Sequence, residues 1–166
     1  MPYDGGWFET VPSWINSSSL SLLSYLYICV DKVRPEEIRV LGMMPALCSL
    51  WLLQAGPEFS RGDVDVEVPV LSPGTFPCLI QGWFYHYGVL PSTFPQGAAP
   101  RLEHLAFVFP AKWVSRENFD LGMRHLPSLQ QVWSHVDQEE ASDAELEKAE
   151  AAVRLAVQDH PNRPVW

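Results

Sequence analysis

The chain has 166 residues, enough for one domain, and its 47 % hydrophobic content predicts a substantial apolar core. A net charge of −9 argues against a nucleic-acid groove, which needs a clustered basic face. Three cysteines without metal-ligand spacing exclude a disulfide framework and favour free thiols in a reducing compartment. The N-terminal residues lack a signal-peptide pattern, and the apolar stretch 20–30 is too short to span a bilayer. We therefore expect a cytoplasmic protein without a membrane span.

The first predicted elements follow an apolar segment that resembles the tail of a preceding repeat. This segment, residues 7–15, indicates that the chain begins in mid-repeat, so that its first strand would have an open apolar edge. The pattern Leu23-x-x-Leu26-x-Ile28 predicts that strand. Pro35 and the two glutamates after it are typical of a helix start, and they predict a short helix through Leu41.

One short motif, Gly-x-x-Pro-x-Leu, recurs along the chain and predicts a solenoid of about five irregular repeats. Each copy opens a segment of the form Leu-x-x-Leu-x-Leu, whose last two anchors alternate along a strand and point to one face. Stacked copies would form a parallel sheet, so the predicted fold is an α/β repeat solenoid, an open horseshoe. The copies are Gly42/Pro45/Leu47, Gly74/Pro77/Leu79, Gly97/Pro100/Leu102 and a looser Gly122/Pro127/Leu129.

The connecting segments supply the other predicted elements. Alternating valines over residues 64–70 predict a short outer strand with an acidic face, and residues 115–123 predict a helix that begins at a serine cap. A capping box at Ser142 and Glu145 predicts a C-terminal capping helix from about residue 143 to 159. The predicted organisation is a repeat solenoid over residues 1–136, with an acidic linker, capping helix and tail over residues 137–166.

The solvent-facing positions of the strands carry the candidate site. The residue before the last anchor is aromatic in most repeats, and neighbouring strands lie about 4.8 Å apart, so these residues would form a ladder. Exposed tryptophan and tyrosine are enriched at protein-binding hot spots. The alternative is that cross-strand aromatic pairs only stabilise the sheet. The candidate protein-binding residues are Tyr25, Tyr27, Trp51, Trp83, Tyr85 and Trp133.

No catalytic or metal-binding motif stands out in the sequence. A Gly-x-Ser-x-Gly elbow, a His-Glu-x-x-His pair and a Cys-x-x-Cys pair are all absent. The five histidines lack ligand spacing and are interpreted as ordinary surface or strand residues. The carboxylates of Asp63, Asp65 and Glu67 are interpreted as a solvated strand face rather than a calcium site. We predict neither an enzyme nor a cofactor.

Several phrases of the sequence resemble the C-terminal repeat region of plant disease-resistance proteins. That family is the coiled-coil class of nucleotide-binding, leucine-rich-repeat immune receptors, in its cereal-type branch. Its most specific phrase here is the closing His160-Pro-Asn-x-Pro164. The similar phrases are Pro12–Ile15, Leu41–Leu47, Phe76–Leu79, Gly97–Leu105, Leu126–Val132 and Ala149–Pro164.

The resemblance implies a leucine-rich-repeat horseshoe that recognises proteins. The implied partner is a pathogen effector, or the nucleotide-binding domain of a parent receptor that the repeats would hold inactive. The chain lacks the Gly-x-x-x-x-Gly-Lys-Ser/Thr loop, so it would be the sensor end and not the switch itself. A repeat adaptor for ubiquitin ligation and a non-functional truncated fragment remain as alternatives.

Overall fold

Five parallel strands stack in sequence order and form one sheet. The computed structural model describes residues 8–55, 68–117 and 119–166. Parallel pairing of consecutive strands, each joined by a crossover segment, is the arrangement of a solenoid and confirms the predicted fold class. The strands are β1 Tyr25–Val30, β2 Ser49–Gln54, β3 Gln81–Tyr85, β4 His104–Pro110 and β5 Gln131–Asp137.

The register between neighbouring strands is fixed by a hydrogen-bond pattern that recurs in every repeat. The carbonyl oxygen of Ser24, just before β1, accepts from the backbone N–H groups of Cys48 at 2.8 Å and Ser49 at 3.0 Å. Because both donors lie at the start of β2, the strands can pair in only one register. The same double acceptance is made by the carbonyls of Cys48, Ile80 and Glu103.

The leucine anchors of the repeats form the core behind the sheet. Leu47, Leu50 and Leu52 are each at most 1 % exposed, as the Leu-x-x-Leu-x-Leu pattern predicts. Strand β3 and the segments on either side of it add aromatic rings: the centroids of Phe76, Phe84 and Phe94 lie about 6 Å from one another. Edge-to-face and tilted contacts at this distance stabilise a core beyond the area they bury.

The repeated glycine has two structural roles. In three copies it has a positive φ, +88° at Gly74, +89° at Gly97 and +62° at Gly122, a conformation that side chains with a Cβ rarely adopt. In the first copy, Gly42 is instead the last residue of the helix α1, Pro35–Gly42. The motif therefore marks the entry to β2, β3, β4 and β5, while the turn that precedes the strand varies.

A Gly122→Ala substitution is expected to lower the free energy of unfolding by about 2–4 kcal/mol. A Cβ at Gly122 would lie 2.7 Å from Cα of Ser92, so the strain of the left-handed φ adds to a backbone clash. Gly74→Ala is the matched control: its φ is also positive, but nothing lies within 4 Å of the added Cβ. Urea denaturation of both variants checks this, and equal losses would show that the Ser92 contact is relieved at no cost.

Two of the predicted helices are confirmed. Helix α1 has proline at its first position and Glu36 and Glu37 in its first turn, where the helix dipole favours negative charge. Helix α2, Asp143–Gln158, begins at the predicted capping box: Ser142 Oγ accepts from Glu145 N at 3.3 Å, and Glu145 Oε2 accepts from Ser142 N at 2.9 Å. Its buried face, Ala149 and Val153, packs on the last core layer and caps the solenoid.

The helix predicted over residues 115–123 is wrong. A 3-10 helix ends at Ser115, and another begins only at Met123. The segment between them is broken because Asp120 Oδ1 accepts from Gly122 N at 2.9 Å, and Gly122 is left-handed. The Phe119 ring also packs on the Phe109 ring at 5.6 Å, which holds this segment against β4.

The predicted outer strand and its acidic face fall largely on residues 56–67, which lie outside the described ranges. The described remainder, residues 68–70, is not part of a strand, and Val68 and Val70 are exposed. At the β1 edge, Phe8 forms a single parallel bridge with Val30. The opposite edge is closed by the tail, where Val165 bridges Gln131.

Candidate functional site

The strand register brings the predicted aromatic residues into one row across the sheet. Tyr27 pairs with Trp51, Trp51 with Trp83, Trp83 with Ala106, and Ala106 with Trp133. Tyr25 and Tyr85 lie in the flanking rows, paired with Ser49 and Leu53 respectively. The sheet thus carries the six candidate residues on its solvent-facing side. We call this side the aromatic face.

Each aromatic ring of the central row contacts the next ring in that row. The centroids of Tyr27 and Trp51 are 6.1 Å apart and tilted, and Trp51 stacks on Trp83 at 4.2 Å with an interplanar angle of 4°. Trp83 in turn stacks on Trp133 at 5.2 Å. Stacked rings hold one another in place, so the aromatic face is ordered before any partner arrives.

The contact between Trp83 and Trp133 crosses an intervening strand. Strands β3 and β5 lie about 10 Å apart, yet the two ring centroids are only half that distance apart because both rings lean over Ala106. Ala106 is 8 % exposed beneath them. In the next row the rings of Tyr85 and His135 meet in the same way at 6.1 Å. We call these two contacts the aromatic arches.

A cavity of about 220 Å³ opens on the aromatic face and is lined by both arches. Small-molecule sites usually enclose about 300–1,000 Å³, so this space suits a single large side chain better than a drug-sized ligand or cofactor. The residues that line it include Trp51, Leu53, Trp83, Tyr85, Trp133 and His135.

The aromatic face remains largely open to solvent. Tyr25 and Tyr27 are 56 % and 54 % exposed, and Tyr85 and Trp133 are each 42 % exposed. Trp51 and Trp83, which are sandwiched in the row, are half-buried. Stacking thus protects the middle of the row and leaves a contiguous apolar patch, the kind of surface that usually marks an interaction site.

Carboxylates lie at both ends of the strands that form the arches. At the N-terminal end, Glu103 Oε2 is 4.0 Å from Nε2 of His104, whose Nδ1 is 2.9 Å from Gln131 Oε1. At the C-terminal end, the Tyr87 hydroxyl donates to Asp137. Burial raises the pKa of Tyr87, and the hydrogen bond and the negative charges of Asp137 and Glu139 raise it further. Tyr87 therefore stays neutral and holds the Asp137 carboxylate.

Comparison with protein families decides the class of the chain. The sequence profile of a family described as "leucine-rich repeat region" matches residues 2–166. The chain belongs to this leucine-rich-repeat family. A search of curated proteins gave no match. Such a repeat region is a protein-interaction module, a role to which the aromatic face of this leucine-rich-repeat protein is suited.

Two histidines of the leucine-rich-repeat protein are buried, although the sequence indicated surface or strand positions. His86 is 6 % exposed, and neither ring nitrogen has a hydrogen-bond partner among the described residues. It continues the inward alternation of Gly82 and Phe84, a signal that extending the pattern beyond β3 would have found. His160 is 2 % exposed and is bonded on both ring nitrogens.

The described part of the leucine-rich-repeat protein carries no cluster of three or more His, Cys, Asp or Glu side chains placed to hold a metal ion. Within the same residues, no helix is both long and apolar enough to cross a membrane. Cys29, Cys48 and Cys78 are free and half-buried. Burial and the neighbouring Asp31 raise the pKa of Cys29, which makes its thiol a poor nucleophile at neutral pH.

Proposed function

We propose that this leucine-rich-repeat protein is a non-enzymatic, cytoplasmic protein-recognition module of plant defence, the sensor or regulatory end of a disease-resistance receptor. The observation that carries the recognition role is the aromatic face: four rings in contact, ordered by stacking and still exposed at their edges. Preorganised tryptophan and tyrosine rings lose little conformational freedom on binding, which is why such residues dominate binding energy.

The plant-defence part of the proposal is supported by the closing phrase of the sequence. His160 and Asn162 contact the backbone of the last repeat: His160 Nε2 is 3.1 Å from the Leu126 carbonyl, and Asn162 Nδ2 donates to the Pro127 carbonyl at 2.6 Å. The phrase that most resembles the cereal-type receptors thus has a structural task in this fold. Because this closing phrase is more specific than leucine spacing alone, its resemblance to those receptors is the stronger support for the proposal.

A Trp83→Ser substitution is expected to weaken partner binding at least about tenfold, with the chain still folded. The assay is co-precipitation from plant cells of the chain with pathogen-secreted proteins, one at a time, followed by titration of the positive pairs. Trp14→Ser is the matched control, since Trp14 is 57 % exposed and precedes β1, outside the aromatic face. Circular dichroism and thermal unfolding of each variant establish that the fold is retained.

The results separate a binding role from a packing role. Loss of binding in Trp83→Ser but not in Trp14→Ser supports the proposal. The row would be assigned to sheet packing if all three serine variants unfold, namely Trp51→Ser, Trp83→Ser and Trp133→Ser. Retained binding in the folded Trp83→Ser variant would contradict the proposed site.

The second candidate is an intramolecular regulator whose partner is the nucleotide-binding domain of the same receptor. An exposed apolar row that another domain could cover favours it, because contiguous patches of this kind are usually buried in the working assembly. Co-purification with a separately expressed nucleotide-binding domain, lost in Trp83→Ser, is the expected result for this function. Binding to a pathogen protein alone would favour the sensor. An in-frame nucleotide-binding domain in the genomic sequence upstream of Met1 would identify the receptor.

A further inference from the structure

The cavity on the aromatic face has the size and polarity of a pocket for one apolar anchor. Its walls are the two aromatic arches together with Leu53, and Ala106 lies beneath one of the arches. The surface of the cavity is mostly apolar, so a polar ligand would find few hydrogen-bond partners there, and burial of an unpaired polar group costs free energy. The occupant that fits is a large aliphatic or aromatic side chain.

In the described part of the chain, the charged groups that act at the two ends of the arch strands are the carboxylates of Glu103, Asp137 and Glu139. Arg101, an exposed cation, also precedes β4. None of the five strands contains lysine or arginine, and the only charged strand residue is Asp137. Glu103 precedes β4, while Asp137 and Glu139 lie at the other end of β5, close enough to act on Tyr87. The nearest cation in sequence to the C-terminal end of β4, Lys112, pairs with Glu140 at 3.6 Å. A segment that crosses the cavity along the strand direction therefore meets carboxylates before and after it.

We propose that the cavity takes one large apolar side chain from a protein segment that carries lysine or arginine on both sides of that anchor. This inference rests on the proposed protein-binding role of the aromatic face and specifies the chemistry of its partner. The apolar anchor supplies most of the affinity, and the flanking cations fix its position and speed association, since charge complementarity acts mainly on specificity and on-rate.

The same charges argue against other occupants. A second copy of this chain would bring a net charge of −9 to an acidic surface, and a nucleic acid would bring phosphates. Arginine and lysine, in contrast, gain from both features of the site: their charges meet the rim carboxylates, and their cationic groups are attracted by tryptophan and tyrosine faces such as those of Tyr27 and Trp133.

The test uses three short fluorescent peptides that differ in one feature each. The first has a central tryptophan between lysine and arginine residues, the second has alanine in place of that tryptophan, and the third has glutamates in place of the cations. Each is titrated with the purified full chain by fluorescence anisotropy, up to about 1 mM. We expect the first peptide to bind at least about tenfold more tightly than either of the others. Its advantage over the glutamate peptide should shrink between about 50 mM and 500 mM salt.

Two charge variants provide the matched comparison. Glu103→Gln/Glu139→Gln removes two charges at the ends of the cavity, and Glu147→Gln/Glu150→Gln removes two exposed charges from α2. We expect only the first to reduce the preference for the basic peptide, by about threefold or more. Equal effects of the two variants would show that the preference reflects only the net charge of the chain, and they would overturn the inference.

The remaining outcomes distinguish this inference from the function on which it rests. If the basic and acidic tryptophan peptides bind equally and Trp83→Ser abolishes both, the inference fails and the protein-binding role stands. If no peptide binds saturably while a co-precipitating protein is lost in Trp83→Ser, the single-anchor inference is also overturned, and the face recognises a folded surface. If neither peptide nor protein depends on Trp83, both fail.

Discussion

Between pH 7.5 and pH 4, His86 is expected to lower the free energy of unfolding of the wild type by about 3 kcal/mol, and the His86→Leu variant is expected to lack this loss. His86 is 6 % exposed, and neither of its ring nitrogens has a hydrogen-bond partner among the described residues. Burial lowers its pKa from 6.5 to about 4. The imidazole is therefore held neutral in the core, where the charged form would lose its hydration.

The direction of the pH effect follows from the lowered pKa. Between pH 6.5 and pH 4 the unfolded chain binds a proton at His86, but the folded chain does not. The stability that the neutral histidine permits is thus fully present above pH 6.5 and is lost as the pH falls toward 4. The pKa of His86 in the unfolded chain exceeds that in the folded chain by about 2.5, and at 1.36 kcal/mol for each pH unit this difference gives about 3 kcal/mol.

Urea denaturation at pH 7.5 and at pH 4, for the wild type and His86→Leu, measures this difference. The leucine variant should also be at least as stable as the wild type at pH 7.5, because it no longer buries two unpaired nitrogens. His135→Leu is the control, since it removes an imidazole from the exposed side of the sheet. A variant that retains the wild-type loss between the two pH values would show that other groups cause the acid sensitivity.

The strands and their register were predictable from the sequence because repetition fixes both. A two-residue alternation selects the buried face of each strand, and the shared Pro-x-Leu entry aligns one copy with the next. The predicted row of Tyr27, Trp51, Trp83, Ala106 and Trp133 is the observed one for the same reason. Whether that row binds a partner stays a prediction.

The aromatic arches could not be predicted from the register alone. Register places Trp83 and Trp133 two strands apart, and the two rings meet above Ala106, whose small side chain leaves room for them. Ala106 would otherwise be interpreted as a gap in the ladder. The failed helix over residues 115–123 has a related cause, because a side-chain bond from Asp120 and a left-handed Gly122 override local helix propensity.

The C-terminal tail imitates the repeat that would follow β5. Ser128 donates to the Pro100 carbonyl at 2.7 Å, and Asn162 donates to the corresponding Pro127 carbonyl at 2.6 Å, one repeat later. Val165 N then donates to the Gln130 carbonyl, and Val132 N donates to the Val165 carbonyl, each at 2.8 Å. The tail therefore occupies hydrogen-bonding groups that an exposed sheet edge would offer to another chain.

His160 positions this tail through both of its ring nitrogens. Nδ1 accepts from the backbone N–H of Asn162 at 3.1 Å, so the ring proton lies on Nε2 and is donated to the Leu126 carbonyl at 3.1 Å. The imidazole is 2 % exposed, so its removal leaves a cavity. It also takes from the Leu126 carbonyl one of two hydrogen bonds, the other being donated by the backbone N–H of Leu129 at 3.2 Å. The two costs together predict that His160→Ala lowers the free energy of unfolding by about 3 kcal/mol.

Hydrogen exchange distinguishes loss of the cap from general destabilisation. In His160→Ala the amides of Val132 and Val165 should exchange well before those of β2 and β3, because the tail detaches while the other strands stay paired. Arg163→Gly is the control within the same turn: Arg163 has φ +44°, so glycine relieves strain there and should leave stability equal or slightly higher. If the amides of all five strands instead exchange at one rate in His160→Ala, the tail and the solenoid unfold as a single unit. The segment from His160 to Asn162 then has no separate role in closing the β5 edge.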